Sequence, residues 1–109
     1  MIIKEYILKE NLSINDLIEN GFNEAFDDKN KYYKCFCLKD DIGVMIEVIY
    51  DNGEIKLSDI WVLDEDFGQL YTSFYLYKKG KMECFPFLQE IIEEYNYKMS
   101  NISCFIERN

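Results

Sequence analysis

From Lys31 onward the chain alternates. Tyr33, Cys35 and Cys37 fall on one side, with Tyr32, Lys34, Phe36 and Leu38 on the other, which is the period of a β-strand. Asp40-Asp41-Ile42-Gly43 marks a turn, after which Val44, Ile46, Val48 and Tyr50 alternate with Met45, Glu47 and Ile49. Asp51-Asn52-Gly53 is a hairpin signal, because Asn and Gly accept the positive φ values of a type I′ turn. Ile55 and Leu57 open a third run that continues through Ile60–Leu63. Its alternation slips at Ser58-Asp59-Ile60, where a bulge of one extra residue restores the apolar face. The runs 31–39, 43–51 and 54–63 therefore predict an antiparallel meander.

Helical spacing brackets this meander. Ser13 stands as an N-cap with Asp16 in the capping-box position, Ile14, Leu17 and Ile18 share one face, and Gly21 supplies the stop. Phe22, Ala25 and Phe26 follow, ending in the turn cluster Asp27-Asp28-Lys29-Asn30. Toward the C-terminus Pro86 suits a first helical turn, where its missing N–H is harmless. Leu88, Ile91, Ile92, Tyr95, Met99 and Ile102 keep helical spacing with Glu90, Glu93 and Glu94 opposite. They predict a helix over 85–99, with glutamates near the positive end of its macrodipole.

Residues 2–8 read as a strand, and the aromatic run 70–78 as a fourth meander strand or an irregular packed loop. Ser100-Asn101 is a stop signal, and continuation of the helix through Cys104-Phe105-Ile106 stays open. The expected fold class is α+β. It comprises an antiparallel sheet of three to five strands, a short N-terminal helix and a longer C-terminal helix packed on one face. All of it belongs to a single domain over 1–109.

Composition supports a core without staples. Hydrophobic residues make up 49% of the 109, enough for a chain of this size to bury one compact interior. The four cysteines, Cys35, Cys37, Cys84 and Cys104, are expected as buried small hydrophobes in a reducing cytoplasm. Met1-Ile2-Ile3-Lys4-Glu5-Tyr6 lacks the basic start of a secretory leader, and no apolar run approaches the ~20 residues of a membrane span. Cys35-Phe36-Cys37 has no second close pair to complete a structural zinc knuckle, and C-x-C is not the redox spacing C-x-x-C. Neither metal nor cofactor is expected.

Charge then narrows the function. Twenty-one acidic residues against 12 basic give a formal charge of -9, a field that repels phosphate backbones and favours basic protein surfaces. Nine carboxylates lie between Asp40 and Asp66 (Asp40, Asp41, Glu47, Asp51, Glu54, Asp59, Asp64, Glu65 and Asp66), opposed only by Lys56. Such a cluster serves either as a solvated sheet edge that resists strand pairing or as a face complementary to a basic partner. Asp66-Phe67-Gly68 copies the kinase metal triplet without the glycine-rich loop or the length that would give it meaning. Histidine is absent, which removes the commonest general base and the Ser-His and Cys-His pairs. A catalytic role is not expected.

Five rings fall between Phe67 and Tyr77: Phe67, Tyr71, Phe74, Tyr75 and Tyr77. Phe67 and Phe74 are expected in the core. Tyr71, Tyr75 and Tyr77 divide between core and interface, because their hydroxyls tolerate water, and Trp61 lies close enough in sequence to join them. With Asp64, Glu65 and Asp66 these three tyrosines make the expected partner-binding set.

The stretch Val62-Leu63-Asp64-Glu65-Asp66-Phe67-Gly68-Gln69-Leu70-Tyr71-Thr72-Ser73-Phe74-Tyr75 stands with the Ser13–Gly21 helix and Phe85-Pro86-Phe87-Leu88. Together they resemble small acidic accessory proteins of phages and prophages from AT-rich Gram-positive bacteria, whose motifs carry no assigned chemistry. The resemblance implies a setting rather than a site: such proteins often bind and block host proteins, CRISPR effectors among them. The expected function is thus a protein-binding inhibitor acting in the host cytoplasm on a basic protein surface, with no direct contact to nucleic acid or membrane. The alternative is a homo-oligomeric accessory, a homodimer formed through a sheet edge or the last helix.

Overall fold

The computed structural model describes residues 1–66 and 68–108. Along them run β1 (Tyr6–Leu8), α1 (Ile14–Glu19), β2 (Asn23–Glu24), β3 (Lys31–Lys39), β4 (Ile42–Asp51) and β5 (Glu54–Asp64). Then come β6 (Gln69–Leu70), α2 (Thr72–Lys78), α3 (Pro86–Ser100) and β7 (Phe105–Glu107). The fold is α+β, with an antiparallel sheet in the order β2-β3-β4-β5-β6 and a separate antiparallel pair, β1-β7.

Local chemistry sets the central meander. Asn52 and Gly53 adopt φ of 52° and 80°, the two positive values a type I′ hairpin needs, and Asp51 pairs with Glu54 across the turn. Farther along the same ladder Glu47 faces Asp59 while Val48 faces Leu57, so Ser58 is the extra residue of a bulge. The bulge lets Leu57 and Ile60 both pack against the core cluster.

Two devices hold α1. Ser13 Oγ accepts the Asp16 N–H at 3.1 Å and Asp16 Oδ2 accepts the Ser13 N–H at 2.8 Å, closing the capping box. At the other end the Gly21 N–H reaches the Ile18 carbonyl and the Phe22 N–H the Leu17 carbonyl, with Gly21 at φ 85°. This is a Schellman stop, and its apolar contact is made by Leu17 and Phe22, both fully buried. Asn20 ties the helix to the far end of the chain: its Oδ1 accepts the Ser103 hydroxyl and the Cys104 N–H.

One core joins the elements. Leu88, Ile91, Ile92, Tyr95 and Met99 of α3 bury together with Tyr32, Leu38, Val44, Ile46, Val48 and Val62 of the sheet. Helix α3 therefore covers the face that carries the even-numbered residues of β3 and β4. Phe74 of α2 packs edge-to-face on Tyr95, with ring centroids 5.2 Å apart. Among the described residues no helix is long and apolar enough to cross a membrane.

Three expectations need correction, and one point left open by the sequence is answered. Residues 70–78 are neither strand nor irregular loop: Leu70 ends the two-residue β6, and Thr72–Lys78 form α2 with Phe74 as the residue it buries. The strand expected over 2–8 is confined to Tyr6–Leu8, where β7 supplies a partner. The chain after Asn101 forms β7 and does not extend the helix. Helix α3 also has no acid in its first turn, since Glu90 falls beyond it.

Candidate protein-docking face

Strand alternation gives the meander a second face, and register reads it directly. Residues paired across neighbouring strands share a side, so three rows cross the sheet opposite α3. They are Cys37–Gly43–Leu63–Leu70, Cys35–Met45–Trp61 and Tyr33–Glu47–Asp59. Lys31, Ile49 and Lys56 make a fourth. Tyr33, Met45, Ile49, Trp61 and Leu63 are half-buried by their neighbours, yet none belongs to the core cluster or packs against it. Leu70 is 47% exposed. This face is apolar at its centre.

Polar groups on it are anchored. Glu47, the one buried charged residue among those described, takes a hydrogen bond from the Tyr33 hydroxyl at 3.1 Å and pairs with Lys31 Nζ at 3.5 Å. The carboxylate raises the pKa of Lys31, so that ammonium is charged throughout the physiological range. Glu65 folds over Gly43: a Cβ there would collide with its carboxylate and lie 3.0 Å from the Phe36 carbonyl oxygen. The same carboxylate accepts a hydrogen bond from Cys37 Sγ at 3.8 Å.

The predicted acids gather at one end of the meander, where Glu65 overhangs this face and Asp64, the partner of Ile42, falls on the α3 side. The Glu65 N–H bonds to the Asp41 carbonyl at 2.8 Å, bringing the end of β5 against the β3–β4 turn, and the Asp66 N–H donates to Asp64 Oδ1 at 3.2 Å. Asp66 has its pKa raised, first by a side-chain hydrogen bond with Asp41, then by desolvation and the charges of Asp41, Asp64 and Glu65. A raised folded-state pKa means that the proton on Asp66 stabilises the fold fully below the ordinary value of 3.8, and that this contribution is lost as pH rises through the raised value. Asp66→Asn keeps a neutral donor toward Asp41 at every pH. Melting curves should place its midpoint above wild type at pH 7 and show the gap closing toward pH 4; an unchanged midpoint at pH 7 would refute the crowding.

The tyrosines of the expected set take structural posts. The Tyr75 hydroxyl accepts the Val62 N–H at 2.9 Å, while the Tyr71 N–H reaches the Val62 carbonyl at 2.9 Å, so both backbone groups of Val62 are occupied. Tyr71 also packs edge-to-face on Phe87, and the Tyr77 hydroxyl donates to the Met1 carbonyl. All three are half-buried against the core cluster. Phe74 is in the core as expected, and Phe67 lies outside the described residues. The structure thus groups Glu65 with Trp61, Met45 and Leu63 on the open face, whereas Asp64, the partner of Ile42, takes the α3 side. The alternation of β4 and β5 held that grouping, but which side α3 would cover was not readable from it.

The thiols divide. Cys104 is buried as expected and Cys84 half-buried, whereas Cys35 and Cys37 are exposed, because the odd positions of β3 face away from α3. Partial desolvation by its neighbours, with the Glu65 charge, pushes the Cys35 thiol up, and burial does the same for Cys104, so both stay protonated near neutral pH. Among the described residues no three His, Cys, Asp or Glu side chains come together to hold a metal.

A cleft of about 250 Å³ lies between β1, β5, α2 and α3, with Tyr6, Tyr75, Tyr95, Asp59 and Arg108 in its lining. Burial raises the pKa of all three phenols, which makes them neutral hydroxyls and not bases near neutral pH. Compared with protein-family models, with curated proteins and with solved structures, the chain finds no match in any of the three.

Proposed function

We propose that this chain is a non-enzymatic protein-binding module whose open sheet face, with Trp61 and Met45 at its centre and the acidic turn Asp64-Glu65-Asp66 at one end, docks on a basic surface of another protein. The observation that carries this reading is the set of half-buried apolar side chains off the core, with the Glu65 carboxylate over one end of it, in a molecule of charge -9. Large rigid aromatics at the centre of a patch supply most of the binding energy of an interface. The surrounding field accelerates encounter with a cationic partner. The finer reading is a phage-encoded inhibitor of a host defence protein, acting in the cytoplasm. It rests on the resemblance and on the fit of carboxylates to grooves built for phosphates.

Immobilised wild-type protein and a variant with Asp64, Glu65 and Asp66 all changed to Lys should be exposed to native host extract at low and at high salt. The expected outcome is a basic protein held by wild type alone and released at high salt, since a Debye length of about 3 Å at 1 M screens the acidic turn. Retention of the same proteins by both chains would overturn the proposal. A dimer of wild-type chains that the lysine variant leaves intact and Trp61→Ala dissolves would favour the homo-oligomer instead.

A further inference from the structure

The row Cys35–Met45–Trp61, with Cys37 beside it, brings three sulfur side chains to one accessible face. We propose that Cys35 and Cys37, with Met45 across the ladder, form a binding site for a soft monovalent metal ion of the copper(I) class. This goes beyond docking and stands or falls separately from it.

The geometry is set by the strands. Cys35 and Cys37 are two residues apart on β3, so both thiols point to the same side with Cα atoms about 7 Å apart. The two χ1 rotamers common in strands lean along the strand, which lets the sulfurs converge on one ion. Met45 is the direct cross-strand partner of Cys35, where Cβ atoms lie about 5 Å apart, within easy reach for a flexible thioether. Opposite Cys37 stands Gly43, without a side chain, and the Glu65 carboxylate fills that space against Cys37 Sγ. Both thiols are exposed, so an ion reaches them without opening the fold.

Donor chemistry selects the ion. Thiolate and thioether sulfurs are soft ligands that favour copper(I) over hard cations. Zinc in a structural site takes four ligands, and Cys84 and Cys104 are not brought to this pair. Binding converts two thiols into two thiolates on one cation and releases two protons, with no change in oxidation state. Both protons pass to solvent, which the two exposed thiols face. Trp61 pairs with Met45 in the same row, and as the only tryptophan it reports occupancy of the site.

The full chain should be titrated anaerobically with copper(I) held by bicinchoninate, following competition for the metal and the emission of Trp61. One ion per chain is expected, with quenching that tracks occupancy and affinity that rises with pH. Cys35→Ser and Cys37→Ser should each weaken binding about 100-fold, and Met45→Leu about 10-fold, while Cys84→Ser leaves it unchanged. Since positions 35 and 37 are exposed, circular dichroism should confirm that the serine variants fold as wild type does. Wild-type affinity in any of the first three variants, or a loss that follows Cys84, would overturn the site.

Discussion

Phe22→Ala should lower the stability of the domain by about 3–5 kcal/mol, the range for emptying a buried aromatic site. Phe22 is 1% exposed and does two jobs at once. Its ring fills the core beside Leu17, and its N–H closes the stop of α1 onto the Leu17 carbonyl. The cavity therefore opens beneath a helix of six residues that has little cohesion of its own. Domains of this size hold only about 5–15 kcal/mol in total, so the variant sits close to the edge of folding. At roughly 4–8 °C per kcal/mol, the thermal midpoint should fall by about 12–40 °C. Phe26→Ala is the control. That ring lies four positions later, is fully exposed, and should leave the midpoint where it was. Equal melting of both variants and wild type would mean that the α1 stop does not anchor the core.

Trp61→Ala should weaken partner binding by about 2 kcal/mol or more, some 30-fold, while the fold holds. The reason is position. Trp61 lies on the sheet face away from α3, so truncation leaves the core untouched and removes area only from the proposed docking face. Its effect should fall on dissociation. Glu65→Lys, on the rim, should instead slow association and flatten the salt dependence. Stopped-flow or surface-binding kinetics separate the two. Tyr77→Phe should leave both rates alone, because its hydroxyl serves the Met1 carbonyl. If Trp61→Ala binds as wild type does and Tyr77→Phe does not, the docking surface lies on the α2 side of the molecule.

Local signals were the ones the sequence carried well. Ser13 and Asp16, Asn52 and Gly53, Pro86 and the slip at Ser58 each act within a few residues of themselves, and each has the expected form. Helix α2 was hidden for a physical reason. Tyr71, Phe74, Tyr75 and Tyr77 are strand-prone residues, and only Phe74 of the seven-residue helix is buried, so no apolar stripe of helical period exists to be seen. Strand β7 was hidden because its partner is β1, about a hundred residues away along the chain. The candidate face fell between these cases. Alternation separates Met45, Glu47 and Trp61 from Val44, Ile46 and Val62, but it does not say which set a helix will cover. That choice depends on tertiary packing, and it decided whether Cys35 and Cys37 were core or surface.

The pairing of β1 with β7 also decides how the molecule responds to force. Tyr6 faces Glu107 and Leu8 faces Phe105, so the two flanking segments leave the ladder at the same end. A pull applied between them peels this short zipper open one rung after another. It does not shear all the rungs together, and separation therefore needs little tension. Only once that zipper has parted does the load pass to α1 and α3, the elements next along the chain.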